Sequence, residues 1–100
     1  MKSTDDINHD EVIPMDFHLS QNYPNPFRIK TNIKYCLAYK TKVRILIFNT
    51  EGGLIETLVD EEKKGGTYEV EFYRNELTAG KYYYRMTAGN YSETKTIQIL

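Results

Sequence analysis

Gln21-Asn22-Tyr23-Pro24-Asn25-Pro26-Phe27 is the stretch on which the reading of this chain turns. Two prolines one residue apart fix φ at two positions and remove two backbone donors. Each also disfavours the helical region for the residue before it, here Tyr23 and Asn25. The stretch is therefore predicted to be extended and to lie outside the middle of any sheet. Tyr23 and Phe27 flank this stiff strut, and both rings are expected to dock on a core. Everything after it reads as strand, turn, strand to Leu100.

Immediately upstream, Phe17 and Leu19 share one face of a short first strand. Downstream, Asn32 to Leu37 alternates with period two, which places Ile33, Tyr35 and Leu37 on one face and Asn32, Lys34 and Cys36 on the other. Lys42 to Phe48 follows, with Val43, Ile45 and Ile47 facing one way and Arg44, Leu46 and Phe48 the other. Apolar residues on both faces predict a central strand covered on more than one side. Asn49-Thr50-Glu51-Gly52 reads as a type I turn closed by a left-handed glycine, leading into Leu54 to Val59. Asp60-Glu61-Glu62-Lys63-Lys64-Gly65-Gly66 is predicted to be a solvated charged turn. Thr67 to Tyr73 puts Tyr68, Val70 and Phe72 inward and Glu69 and Glu71 outward.

Leu77-Thr78-Ala79-Gly80-Lys81-Tyr82 has the spacing of a tyrosine corner, in which a phenol OH reaches back to a backbone group upstream. Gly80 there permits a backbone angle that a side chain forbids. Tyr82 to Ala88 is the next strand, with Tyr82, Tyr84 and Met86 on one face and Tyr83, Arg85 and Thr87 on the other. Gly89-Asn90 is a tight hairpin turn. Tyr91 to Leu100 is the last strand, with Ile97 and Ile99 inward. The count is about seven strands with regularly spaced turns and no helix. The predicted fold class is all-β, an immunoglobulin-like β-sandwich of antiparallel strands.

Composition agrees with a small β domain and narrows the function. The 100 residues make one domain, 40% apolar, with nine Tyr and no Trp. Thirteen basic and 14 acidic residues give a net charge of −1, without the clustered positive charge of a nucleic-acid surface. Cys36 is the single cysteine, so no disulfide forms within the chain. No apolar run approaches the roughly 20 residues that span a bilayer as a helix. Met1 to Asp6 lacks the apolar stretch of a secretory signal peptide, so a signal for export is expected to lie outside this chain. Residues 1–16 are polar, acidic and aperiodic, and read as a flexible linker to a domain at 17–100.

Several constellations bear on chemistry. His9 lies among carboxylates, but no paired ligand spacing accompanies it. Cys36 beside Lys34 lacks the cationic surroundings of a reactive thiol and reads as inert. Gly52-Gly53 lacks the lysine and following helix of a phosphate loop. Glu69 and Glu71 are neighbours on one wetted strand face, with no cleft and no histidine, and acid/base work needs groups in differing environments. Asn90-Tyr91-Ser92 fits a glycosylation acceptor, a pattern too short to carry weight. Tyr83 beside Arg85 is left open as a contact for a sugar or a base. No nucleophile–base pair or metal set emerges, and the chain does not read as an enzyme.

These residues permit a resemblance. Phe17, Leu19, Gln21, Asn22, Tyr23, Pro24, Asn25, Pro26 and Phe27 match the opening motif Phe-x-Leu-x-Gln-Asn-Tyr-Pro-Asn-Pro-Phe of type A C-terminal sorting domains of the type IX (Por) secretion system. Thr31, Ile33, Tyr35 and Leu37 match the next block. Val43, Ile45, Ile47, Phe48, Asn49 and Gly52, then Thr57-Leu58-Val59, continue the family order. Gly80 and Tyr82 and the closing Thr94-Lys95-Thr96-Ile97-Gln98-Ile99-Leu100 complete it. The chain departs where Arg28-Ile29-Lys30 replaces a usual proline, where Phe72 stands for a common tryptophan, and at Leu100, where the family often ends on a basic residue.

The resemblance implies a transport tag of Bacteroidota and relatives, with no cofactor. It would be recognised by the outer-membrane translocon and cleaved by a sortase that attaches the upstream cargo to the cell surface after passage through the periplasm. Gly80, Tyr82, Lys95, Ile97, Ile99 and Leu100 are the residues expected to be read, through strand addition to the last strand. Asn22, Tyr23, Pro24, Asn25, Pro26 and Phe27 are expected to be structural. Cleavage is expected before Phe17. The alternative is an immunoglobulin-like accessory module that binds protein or carbohydrate, such as that of flagellar hook-capping proteins.

Overall fold

A computed structural model describes residues 12–100. His9 and most of the acidic lead-in lie outside the described residues. Seven strands follow one another: β1 (His18–Leu19), β2 (Lys30–Leu37), β3 (Thr41–Phe48), β4 (Leu54–Lys63), β5 (Gly66–Tyr73), β6 (Gly80–Ala88) and β7 (Tyr91–Ile99). They form two antiparallel sheets, one ordered β1-β2-β5 and the other β4-β3-β6-β7. This is the predicted immunoglobulin-like sandwich.

The period-two pattern builds the core directly. Leu19, Ile33, Tyr35, Leu37 and Phe72 of the first sheet are buried against Val43, Ile45, Ile47, Tyr82, Tyr84, Met86, Ile97 and Ile99 of the second. Burying each such side chain stabilises the fold by roughly 1.5–3 kcal/mol before chain entropy is counted. Tyr84 is buried along its whole ring, and its OH donates to the Ser20 carbonyl at 2.6 Å, tying β6 to the end of β1. Two predicted corners have the expected geometry. Tyr82 OH donates to the Thr78 carbonyl at 2.9 Å. In the β3–β4 turn, Asn49 Oδ1 accepts from the amides of Glu51 and Gly53 at 3.0 and 2.8 Å, and Gly52 takes φ +86°.

Three expectations need correction. The acidic stretch after Val59 is not a turn: β4 runs on to Lys63, and only Lys64-Gly65 separates it from β5. Asp60 pairs with Lys42 at 3.4 Å and with Arg44 at 3.3 Å, so cross-strand charges hold a ladder that carries no apolar alternation. β3 is central, as predicted, yet among the described residues no third layer covers its outer face. Leu46 and Phe48 are half-buried there beneath neighbouring side chains, with the Arg85 guanidinium 4.8 Å from the Phe48 ring centre. The third correction concerns the proline segment.

Candidate recognition site: the proline loop and the terminal strand

The segment from Tyr23 to Phe27 bends instead of running straight, and both X–Pro peptide bonds are cis. Phe27 enters the core, its ring 5.8 Å from that of Phe72, but Tyr23 does not dock and is 80% exposed. Only one of the two aromatic anchors is therefore structural. The loop is held from within by Asn22, which is 2% exposed. Its Nδ2 donates to the Pro24 carbonyl and to Thr31 Oγ1, both at 3.1 Å, while Thr31 Oγ1 donates to the same carbonyl at 2.7 Å. A buried amide with satisfied partners fixes the loop's shape more specifically than apolar packing alone. At its start, Tyr23 and Asn32 exchange backbone hydrogen bonds of 2.9 and 3.0 Å, pinning the loop to β2.

The far side of the loop grips the last strand. Phe27 N–H donates to the Gln98 carbonyl at 3.1 Å, and Leu100 N–H donates to the Phe27 carbonyl at 2.9 Å. Asn25 Oδ1 accepts from the Gln98 amide at 2.9 Å, and Gln21 Nε2 donates to the Thr96 carbonyl at 2.7 Å. β7 is the edge of its sheet, paired along its length only with β6. Its final third, expected to be free, is thus covered by the loop. The first and last signature segments of the sequence form one hydrogen-bonded unit.

Alternation then assigns the rest of the edge. Backbone groups of an antiparallel edge strand point alternately toward and away from the neighbour. Gln98 and Leu100 point away from β6, so Ser92, Thr94 and Thr96 do too. Among the described residues, no hydrogen bond reaches the outward amides of Ser92, Thr94 and Thr96 or the carbonyls of Ser92 and Thr94. The strand is divided into an open half, Tyr91 to Thr96, and a capped half beyond it.

The residues expected to be read fall into two groups. Tyr82, Ile97 and Ile99 are buried in the core, at 7%, 0% and 1% exposure. Gly80 takes φ +141° at the start of β6, where added side-chain atoms would meet open space, so its requirement is conformational. Lys95 and Leu100 reach the surface. Lys95 Nζ lies 3.2 Å from Glu93 Oε2, and Tyr91 OH donates to Glu93 Oε1. The hydrogen bonds from Tyr91 and Lys95 hold the Glu93 carboxyl below the usual range. Burial, reinforced by Glu93, pushes the Tyr91 phenol up to about 12. Leu100 is half exposed, and its carbonyl accepts from Arg74 Nη1 at 2.6 Å. Arg74 also donates through Nε to the Leu77 carbonyl at 2.9 Å, so one side chain ties the last residue to the tyrosine corner.

Three contributors were not visible in the sequence as site residues: Tyr23, Gln21 and Arg74. Tyr23 walls a shallow groove of about 310 Å³, with Ser20, Gln21, Asn32, Lys34 and Glu69 as its other lining. Asn32 is one of the lining residues, and its Oδ1 is buried without a hydrogen-bond partner among the described residues. Elsewhere, Tyr83 and Arg85 share a second depression of about 290 Å³ on the outer face of the larger sheet. Cys36 is half-buried with Sγ 3.7 Å from Thr67 Oγ1. No helix among the described residues is long and apolar enough to cross a membrane, and no cluster there could hold a metal ion.

A module of two antiparallel sheets whose proline loop and last strand meet at one edge defines a β-sandwich domain. The family model for the secretion system C-terminal sorting domain matches residues 21–100, from the proline loop to the end of β7. The chain belongs to the C-terminal sorting domains of type IX secretion. No curated protein and no solved structure matches it.

Proposed function

We propose that this domain carries an upstream cargo protein to the type IX translocon of the outer membrane, and that a sortase then removes the domain and fixes the cargo at the cell surface. The observation that supports this reading best is the union of the proline loop with the terminal strand. It brings the family's opening and closing motifs together, with the exposed Tyr23 at one side and Leu100 at the other. Strand addition at the open half of β7 supplies backbone hydrogen bonds, and the groove beside Tyr23 supplies a pocket for a side chain.

Recognition then divides by burial. Tyr82, Ile97 and Ile99 act by holding β6 and β7 in place, and Gly80 by setting the start of β6. Lys95, Leu100 and Tyr23 are the side chains a partner touches. Cleavage falls before Phe17, where Val12 to Asp16 carry no strand and Val12, Ile13 and Met15 are exposed. The test is a signal-peptide-bearing reporter fused to residues 17–100 in a type IX host, with a proven sorting domain in parallel. Export of both supports the reading; retention of this fusion in the periplasm, while the control is exported, refutes it.

A second reading rests on Arg85, which has no carboxylate partner among the described residues and lies beside Tyr83 on an open face. An accessory module that contacts carbohydrate would use this pair. Glycan-array binding abolished by Arg85→Ala, together with failed export, would favour it.

A further inference from the structure

The open half of β7 carries a charge pattern that fits itself. We propose that Tyr91 to Thr96 pairs antiparallel with the same segment of a second copy of this chain, in the one register centred on Thr94. The backbone supplies the first constraint. Ser92, Thr94 and Thr96 direct amides and carbonyls away from β6, so only registers that oppose two outward residues build a ladder. Three such registers fit within the uncapped stretch: those centred on Glu93, Thr94 and Lys95.

Charge selects among them. Glu93 and Lys95 lie on the face of β7 that carries Ile97 and Ile99, toward the sandwich interior. Inward charges on an edge strand discourage pairing with an arbitrary apolar strand. Centring on Glu93 opposes two carboxylates, and centring on Lys95 opposes two ammonium groups; like charges directly opposite destabilise a ladder. Centring on Thr94 sets each Glu93 against the other copy's Lys95. It also sets Ser92 against Thr96 and Thr94 against itself.

The length of the open edge matches this register. One step past Ser92 opposite Thr96, the ladder would bring Asn90 opposite Gln98. The chain turns at Gly89-Asn90, and Gln98 is already taken by Asn25 and Phe27. Pairing therefore stops at both ends where the structure stops it. At Thr96 the carbonyl already accepts from Gln21 Nε2 at 2.7 Å, so the other copy's Ser92 amide shares that oxygen through its second lone pair. The result joins two four-stranded sheets across a two-fold axis and covers an open sheet edge. The contact goes beyond the sorting role and is tested apart from it, but it uses the backbone groups assigned above to strand addition, so the copies must part before another strand is added there.

The test uses the full 100-residue chain with Cys36→Ser, so that no native thiol interferes. Thr94→Cys should oxidise to a covalent dimer, because residues facing each other across a hydrogen-bonded pair lie about 5.5 Å apart at Cα, within disulfide range. Ser92→Cys, equally exposed, should not, because Ser92 meets Thr96. Equal cross-linking of the two, or none with Thr94→Cys, overturns the register. Sedimentation velocity on the unmodified chain up to millimolar concentration should show a reversible dimer, and a monomer throughout overturns the proposal. Lys95→Glu and Glu93→Lys should each weaken self-association roughly tenfold or more, and mixing the two should restore a heterodimer. Failure of the mixture to associate, with both variants folded by circular dichroism, overturns it as well.

Discussion

Replacing Asn22 with alanine should loosen the proline loop and, through it, uncap the last strand. The Asn22 side chain donates a buried hydrogen bond to Thr31 Oγ1 and a part-buried one to the Pro24 carbonyl, and accepts a third from Gln21 Nε2 at 2.7 Å. Each bond is worth a net ~0.5–1.5 kcal/mol. Thr31 Oγ1 still donates to the Pro24 carbonyl at 2.7 Å after the change, so no buried group is left wholly unpaired. Gln21 Nε2 keeps its bond to the Thr96 carbonyl, so the loss is counted on the two donated bonds, near the middle of their range at about 2 kcal/mol. In a domain of this size that lowers the thermal midpoint by roughly 8–16 °C. The sharper assay is amide hydrogen exchange. Gln98 and Leu100 amides are held by the loop, whereas Ile97 and Ile99 amides point toward β6. In Asn22→Ala, Gln98 and Leu100 should lose more protection than Ile97 and Ile99, because the loop opens locally before the sheet does. Equal loss at all four positions would show that the loop and strand unfold only with the whole domain, and the clamp argument would fail.

Alkaline titration supplies another prediction. Burial pushes Tyr35 from its ordinary value of 10 up to about 12, with Tyr68 and Glu61 adding to it, and burial does the same to Tyr91; Tyr84 is raised further still. A folded-state pKa above the unfolded one means stability present in full below pH 10 and lost as pH rises toward 12. Tyrosinate absorbance should therefore rise first from exposed phenols, and the remainder should appear together with unfolding by circular dichroism. A single smooth titration centred at 10, with the fold intact, would contradict the burial of these rings. Gly80→Ala should cost about 1–2 kcal/mol by urea unfolding, since a side chain at φ +141° is strained although nothing crowds it. An unchanged urea midpoint would show that the backbone relaxes without cost.

Much of the fold was legible because its inner faces alternate strictly. Ile33-Tyr35-Leu37, Val43-Ile45-Ile47 and Tyr82-Tyr84-Met86 each put one face into the core, and a one-residue slip would expose all three members. The tyrosine corner was legible because Gly80 and Tyr82 stand at a fixed spacing. The end of β4 was not, because Asp60 to Lys63 on an edge strand is stabilised by partners on β3 instead of by burial. Sequence pattern reports burial well and cross-strand ion pairs poorly. Tyr23 was misplaced for a related reason: two aromatic rings around a proline pair look equivalent until the direction of the bend is known. The clamp itself joins residues 73 apart, from Asn25 to Gln98, and no local pattern encodes such a contact. Among the site residues, the buried members were identifiable by periodicity. The division of β7 into an open and a capped half required knowing which groups the loop occupies.

The central claim is that the exposed side of the joined loop and strand is what the secretion machinery reads. Its most direct test is the exported fraction of a reporter carrying Tyr23→Ala with Leu100→Ala in residues 17–100. Both side chains are substantially exposed, so stability should change by less than about 1 kcal/mol in total. The expected result is a folded domain, its melting temperature lowered by less than about 8 °C, whose cargo accumulates in the periplasm. Export at the level of the unsubstituted fusion, from an equally stable domain, would contradict it.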